Sequence, residues 1–117
     1  MKKLVVVFAA ALAAVGVVAA GATAKHTVKQ AGAEACVLLP DTKSSVRWEQ
    51  FDRPAFAAAF KAAGITSTIV NALNDPQKQK SQADQCLANG AKVLVITSLD
   101  AGSSIAIQKA AAAKGAK

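Results

Sequence analysis

The polar residues best placed to do chemistry in this sequence sit directly behind short apolar runs. Asp41 and Thr42 follow Ala35 to Leu39, Asn71 to Asp75 follows Thr66 to Val70, and Asp100 follows Lys92 to Thr97. Carboxylates accept hydrogen bonds, while amides and hydroxyls both donate and accept, so loops of this kind can hold a polar ligand without reacting with it. Bond-making machinery is not visible. No Gly-x-Gly-x-x-Gly follows the first run, no Walker-type Gly-Lys-Ser/Thr occurs, and no His or Cys cluster has metal spacing. Ser44 and Ser45 have no neighbouring histidine, and the single histidine, His26, has no partner set for catalysis. Binding without turnover, with no cofactor, is the expectation.

The elements that must position these loops alternate in period. Ala35 to Leu39 is an apolar run stopped by Pro40-Asp41, as a strand buried on both faces would be. Trp48, Phe51, Phe56, Phe60 and Ala63 recur at helical steps with one wider gap, and Gly64 is placed to end that helix. Pro54 marks a break, with Asp52 able to cap a fresh start. Thr66 to Val70, rich in β-branched residues, predicts the second strand. Pro76 opens a second helix whose inward stripe is Gln79, Ala83, Cys86 and Leu87, closed by Asn89-Gly90. Lys92 to Thr97 is the third strand, and Asp100 or Ser103 can cap a third helix reaching about Lys114.

Helices between successive strands force parallel pairing through right-handed crossovers. The fold class is therefore α/β: a three-layer, Rossmann-like, doubly wound parallel sheet in the order 2-1-3, with the first and second helices on opposite faces. In such sheets ligands bind beyond the carboxyl ends of the strands, which is where all three loops fall.

The first 24 residues have another purpose. Lys2 and Lys3, an uncharged stretch from Leu4 to Ala20, and Ala22-Thr23-Ala24 have the layout of an export signal cleaved after Ala24. A retained membrane anchor is the competing reading, since the apolar run approaches the length of a spanning helix. The first cysteine past this run is Cys36, too far for lipid attachment. Residues 25–33 read as a flexible leader, and 34–117 as one small domain. The net charge of +7 falls to +5 without the two N-terminal lysines, with 12 basic against 7 acidic residues remaining. These lysines are scattered rather than clustered, so nucleic acid is not an expected partner. Cys36 and Cys86 are an even pair in an exported chain; if both face the same side of the sheet they can form a disulfide, and otherwise they are two buried thiols.

Taken in order, Cys36-Val-Leu-Leu-Pro-Asp-Thr-Lys-Ser-Ser-Val-Arg-Trp48, Phe51-Asp-Arg53, Asn71-Ala-x-x-Asp75, Ala83-Asp-Gln85, Asn89-Gly-Ala-Lys-Val-Leu-Val-Ile96 and Leu99-Asp100 resemble the start of periplasmic sugar-binding proteins. These are the xylose- and ribose-type substrate-binding components of ABC importers, with the type 1 periplasmic binding protein fold. Sugar-responsive repressors share the fold but carry a DNA-binding helix-turn-helix where this chain has its export signal. The resemblance implies a monosaccharide ligand, membrane permease subunits as partners, action in the periplasm or outside the cell, and a monomer when the protein is complete.

It also implies a ligand set of Asp41, Thr42, Arg47, Trp48, Asn74 and Asp100, with hydrogen bonds to hydroxyls and an aromatic face for the sugar ring. Each has a plainer role beside it. Asp100 can be a helix cap, Trp48 a hydrophobic staple, and Asn74 a turn residue. Arg47 can pair with Asp41 or Asp52. The resembling proteins continue past Lys117 into a fourth strand and a second lobe, so this chain matches a partial N-terminal lobe. Its third strand is expected to present an unpaired apolar edge. The competing readings are a small secreted α/β module working through protein contacts, and an enzyme built on a Rossmann-like half.

Overall fold

A computed structural model describes residues 32–117. The expected export signal, its cleavage point and most of the leader lie outside the described residues. Three parallel strands, β1 (Ala35–Leu39), β2 (Ser67–Asn71) and β3 (Val93–Ile96), form one sheet in the order β2-β1-β3. The register sets Val37 beside Ile69 on one side and Val95 on the other. Every residue of central β1 is buried, as its unbroken apolar run requires.

The helices are α1 (Arg53–Ala62), α2 (Pro76–Ala88) and α3 (Ala101–Ala113). The chain enters α2 through Asp75, whose carboxylate accepts from the N–H groups of Gln77 and Lys78 at 2.9 and 3.0 Å, with Pro76 tolerated in the first turn. It leaves through Gly90 at φ 94°, which lets Ala91 N–H reach back to the Cys86 carbonyl at 3.0 Å. The buried residues of α2 are Gln79, Ala83, Cys86 and Leu87, the stripe its spacing predicts.

Ala83 and Cys86 of this stripe pack with Cys36 and Leu38 of β1, Ala91, and Ile107 of α3, flanked by Val70, Leu94 and Ile96, while Leu87 packs with Ala111 and Ala116. Cys36 therefore points to the α2 side, and it forms a disulfide with Cys86 across a Cα–Cα distance of 6.3 Å and 50 residues of chain. Closing a loop of that length stabilises the fold by about 4 kcal/mol on the chain-entropy model.

The other face is more open. A π-helical turn, Trp48–Asp52, leads without interruption into α1, and neither segment contains a buried residue. The sequence predicts a capped restart at Asp52. Instead Asp52 is helical at φ −70° with no capping bond, and its carboxylate accepts from Arg47 Nε. Pro54 falls in the first turn of α1, a position that tolerates proline, and the chain passes from the π-helical turn into α1 there without a break. Phe56 and Phe60 stack on each other at 6.2 Å and are only half-buried, while Phe51 is 63% exposed. The aromatic stripe is real, but within the described residues it covers only part of the sheet.

The β3 edge also departs from expectation at one point. Lys117 N–H donates to the Lys92 carbonyl at 2.9 Å, and Leu94 N–H donates to the Lys117 carbonyl at 2.7 Å. These two bonds flank Val93 in the pattern of a parallel bridge.

Candidate functional site

All three strands point their carboxyl ends to one edge of the sheet, and main-chain bonds lace the loops there together. Ala72 N–H donates to the Leu39 carbonyl at 2.9 Å, Asn74 N–H to Pro40 at 2.9 Å, and Thr97 N–H to Leu38 at 3.2 Å. Buried Gln79 adds a bond from its side-chain amide to the Thr97 carbonyl at 2.8 Å. The candidate residues therefore stand on a braced rim.

The first cleft on this rim has a volume of about 450 Å³ and is lined by Asp41, Thr42, Lys43, Ser44, Leu73 and Asn74. Its first wall is built on Asp41, which is only 6% exposed. One oxygen of its carboxylate accepts from the N–H groups of Lys43 and Ser44 at 2.7 and 2.6 Å, and the other accepts from the Ser44 hydroxyl at 2.6 Å. The Ser44 hydroxyl, then the Ser44 and Lys43 N–H groups, hold the Asp41 carboxyl below its usual range against the opposing effect of burial. Three of its lone-pair positions are thus spent on shaping the loop, and Thr42 and Lys43 are left exposed at its tip.

The second wall is Leu73-Asn74. Both residues have left-handed backbone, at φ 57° and 66°, and Leu73 is the costly one because only Gly, Asn and Asp adopt that region readily. Asn74 is anchored through its main chain to Pro40, so the loop is held without using its side-chain amide.

A second cleft, of about 310 Å³, lies beside the first and is lined by Arg47, Trp48, Asp52, Ala55, Phe56, Ala59 and Thr97. Arg47 lies over the Trp48 ring at 5.0 Å and pairs with Asp52 at 2.9 Å. Trp48 Nε1–H donates to the Ser44 hydroxyl at 3.2 Å, and Ser44 in turn donates to Asp41. The tryptophan of one cleft is therefore bonded to the wall of the other.

The structure thus brings Asp41, Thr42 and Asn74 together, sets Arg47 and Trp48 next door, and keeps Asp100 apart from the linings of both clefts. Asp100 caps α3: one oxygen accepts from Ser103 N–H at 2.9 Å and the other from the Ser103 hydroxyl. The Ser103 hydroxyl is the main cause of a lowered Asp100 pKa, with the Ser103 and Gly102 N–H groups adding to it. Asp100 remains exposed on the rim with accepting capacity to spare.

Sequence reasoning placed Asn71 at the start of a candidate loop without giving it a role, and gave Glu49 and Arg53 none either. The Asn71 amide donates to the Asp41 carbonyl at 2.9 Å and to Glu49 at 2.7 Å. Glu49 receives two bonds from Arg53, at 2.5 and 3.1 Å, and Arg53 also donates to the Ile69 carbonyl at 2.7 Å. The signal available in sequence was the i, i+4 spacing of Glu49 and Arg53. Nothing local could tie that pair to Asn71. Among the described residues no cluster of three metal-ligating side chains occurs.

Residues 35–117 match the family model described as periplasmic binding protein domain. Two solved structures are similar to this chain. One is a carbohydrate transporter solute binding protein from Chloroflexus aurantiacus in complex with D-glucose, at 31% identity and a TM-score of 0.64, covering 74% of this chain and 25% of that one. The other is an ABC transporter solute binding protein from Clostridium phytofermentans with bound β-D-glucose, at 33% identity and a TM-score of 0.64, covering 70% of this chain and 25% of that one. The chain spans about a quarter of the length of these structures. No curated protein matches it significantly.

Proposed function

This chain belongs to the periplasmic binding protein domain family, and from that premise we propose that it is the sugar-binding component of an ABC-type importer, carrying the first part of the ligand shell. The family and both similar structures are solute-binding proteins rather than enzymes. The observation that carries the reading is the rim itself: parallel strands deliver Asp41, Thr42 and Asn74 to one open cleft, with Arg47 and Trp48 beside it. A cleft of this volume falls in the range of small-molecule sites, and its lining joins hydrogen-bonding side chains suited to hydroxyls with the apolar Leu73.

On this reading Thr42 and Asn74 contact sugar hydroxyls directly, with Asp41 contributing mainly by holding the loop. Trp48 offers an aromatic face for the apolar side of the ring, with Arg47 steadying it. Asp100 accepts from a hydroxyl with the lone pairs that Ser103 leaves free. The protein works outside the cytoplasm, reached through the cleavable N-terminal signal, and hands its sugar to membrane permease subunits as a monomer. D-glucose is the first ligand to try, because both similar structures hold it.

The test is a titration of the chain with D-glucose, read by calorimetry and by the emission of Trp48, the single tryptophan. Saturable heat with a matching change in emission is the expected result. Neither signal with D-glucose, D-xylose or D-ribose would overturn the proposal for this chain.

A further inference from the structure

We propose that Asn71 is the positioning residue of the cleft, fixing its two walls relative to each other. The proposal rests on the reading of that cleft as a sugar site. Asn71 is the last residue of β2, and three of the four hydrogen-bonding positions of its side-chain amide are used. One wall receives from it, through the bond of Nδ2 to the Asp41 carbonyl at 2.9 Å. The other wall donates to it, through Leu73 N–H to Oδ1 at 2.8 Å.

The second Nδ2 hydrogen goes to Glu49 at 2.7 Å, and the main-chain carbonyl of Asn71 accepts from Gln82 of α2 at 3.0 Å. Four segments therefore meet at one residue: the loop after β1, the π-helical turn, the loop after β2, and α2. Only a planar amide can donate twice and accept once in this arrangement; a carboxylate has no donor and alanine has neither group.

Glu49 is a firm anchor for this bond. Arg53 chiefly, then Asn71, hold its carboxyl below the usual range, and Arg53 is itself tied to the Ile69 carbonyl of β2. The bond from Leu73 N–H to Asn71 also supports the left-handed pair Leu73-Asn74, beside the bond from Asn74 N–H to the Pro40 carbonyl. Asn71 touches no ligand in this scheme; it sets the spacing between the groups that do.

The variants are Asn71→Asp, of equal size but without donors, and Asn71→Ala, with Lys80→Ala as a control on an exposed ion pair. Each is measured for D-glucose affinity, Trp48 emission and far-ultraviolet circular dichroism. Both Asn71 variants are expected to keep their secondary structure and to bind about tenfold more weakly or worse. Their Trp48 emission should also shift, because Trp48 is bonded through Ser44 to the wall that Asn71 holds.

Asn71→Asp has a further signature. The introduced carboxyl would stand beside the Asp41 carbonyl and the Glu49 carboxylate, which Arg53 holds from its far side, so protonating it on acidification restores one donor, and affinity and emission should move back toward those of the parent. A purely structural residue would not show that recovery, and it keeps the test open if Asn71→Ala does not fold. Folded variants with the parent's affinity and emission overturn the proposal. If the parent itself binds no glucose, the sugar reading falls; the positioning role then stands or falls on whether Trp48 emission changes in the folded variants.

Discussion

At the scale of the residue, the rim is built from acids whose oxygens are mostly occupied by neighbouring hydroxyls and N–H groups. Asp41 and Asp100 each take a hydroxyl from the serine three residues on, and in each case that hydroxyl is the leading cause of a lowered pKa. A carboxyl with a depressed pKa in the folded state contributes stability that is complete above its unfolded value, about 4, and disappears as the pH falls through the folded value. Stability should therefore decline on acidification below about pH 4. In Ser44→Ala and Ser103→Ala that decline should be shallower, as judged by urea melts from pH 7 to pH 2.5; parallel slopes in parent and variants would show that the hydroxyls do not set these pKa values. Leu73 carries the opposite kind of cost. A left-handed L-residue is destabilised by about 1 to 2 kcal/mol, and glycine adds about 0.5 to 1 kcal/mol of unfolded-chain entropy. Leu73→Gly should thus stabilise the chain by about 0.5 to 1 kcal/mol while giving up an apolar group from the cleft. A lower urea midpoint would remove strain from the account of this loop.

At the scale of the element, the core side of the sheet rests on a covalent link between β1 and α2. Cys36 is 1% exposed and Cys86 8%, so the bond is largely shielded from solvent. With about 4 kcal/mol at stake against the 5 to 15 kcal/mol typical of a whole domain, Cys36→Ala/Cys86→Ala should melt at least 10 °C below the parent, on the usual scaling of about 4 to 8 °C per kcal/mol for a domain this small. Equal melting temperatures in the two forms would show that packing alone holds α2. The same helix shows what a sequence can and cannot reveal. The stripe from Gln79 to Leu87, the Asp75-Pro76 start and the Asn89-Gly90 stop are local signals, and all appear in the fold. So do the strand order and the Asp100 cap. The π-helical turn does not follow from local signals, because Asp52 had two available uses and the pairing with Arg47 prevailed over capping. The candidate ligand residues fell on one rim, at the carboxyl ends of the strands, because strand ends are legible. Their division into two clefts, and the role of Asn71, depend on contacts across 22 and 30 residues of chain that no local pattern encodes.

At the scale of the whole molecule, the two faces of the sheet are unequally covered. On one face α2 and α3 bury two apolar clusters, the larger around Cys36 and Leu38. On the other, α1 has no buried residue, Phe51 is 63% exposed, and Val93 on the edge strand is 40% exposed. Among the described residues the β3 edge is bridged only by Lys117, at Val93, leaving an apolar strand end of the kind that pairs with other chains. The 117-residue chain should accordingly associate with itself as concentration rises, through this edge and the adjoining apolar surface. Placing a charge there tests the route. Val93→Lys sets a cation beside Lys92 on an exposed edge position, and positive charge on an edge strand opposes strand-to-strand contact. The variant should stay monomeric at concentrations where the parent elutes early in size exclusion, with glucose affinity unchanged because Val93 is at the opposite end of β3 from the rim. Association that persists in Val93→Lys would move the sticky surface from the β3 edge to the aromatic face of the π-helical turn and α1, where Phe51→Ser in that turn would be the variant to relieve it.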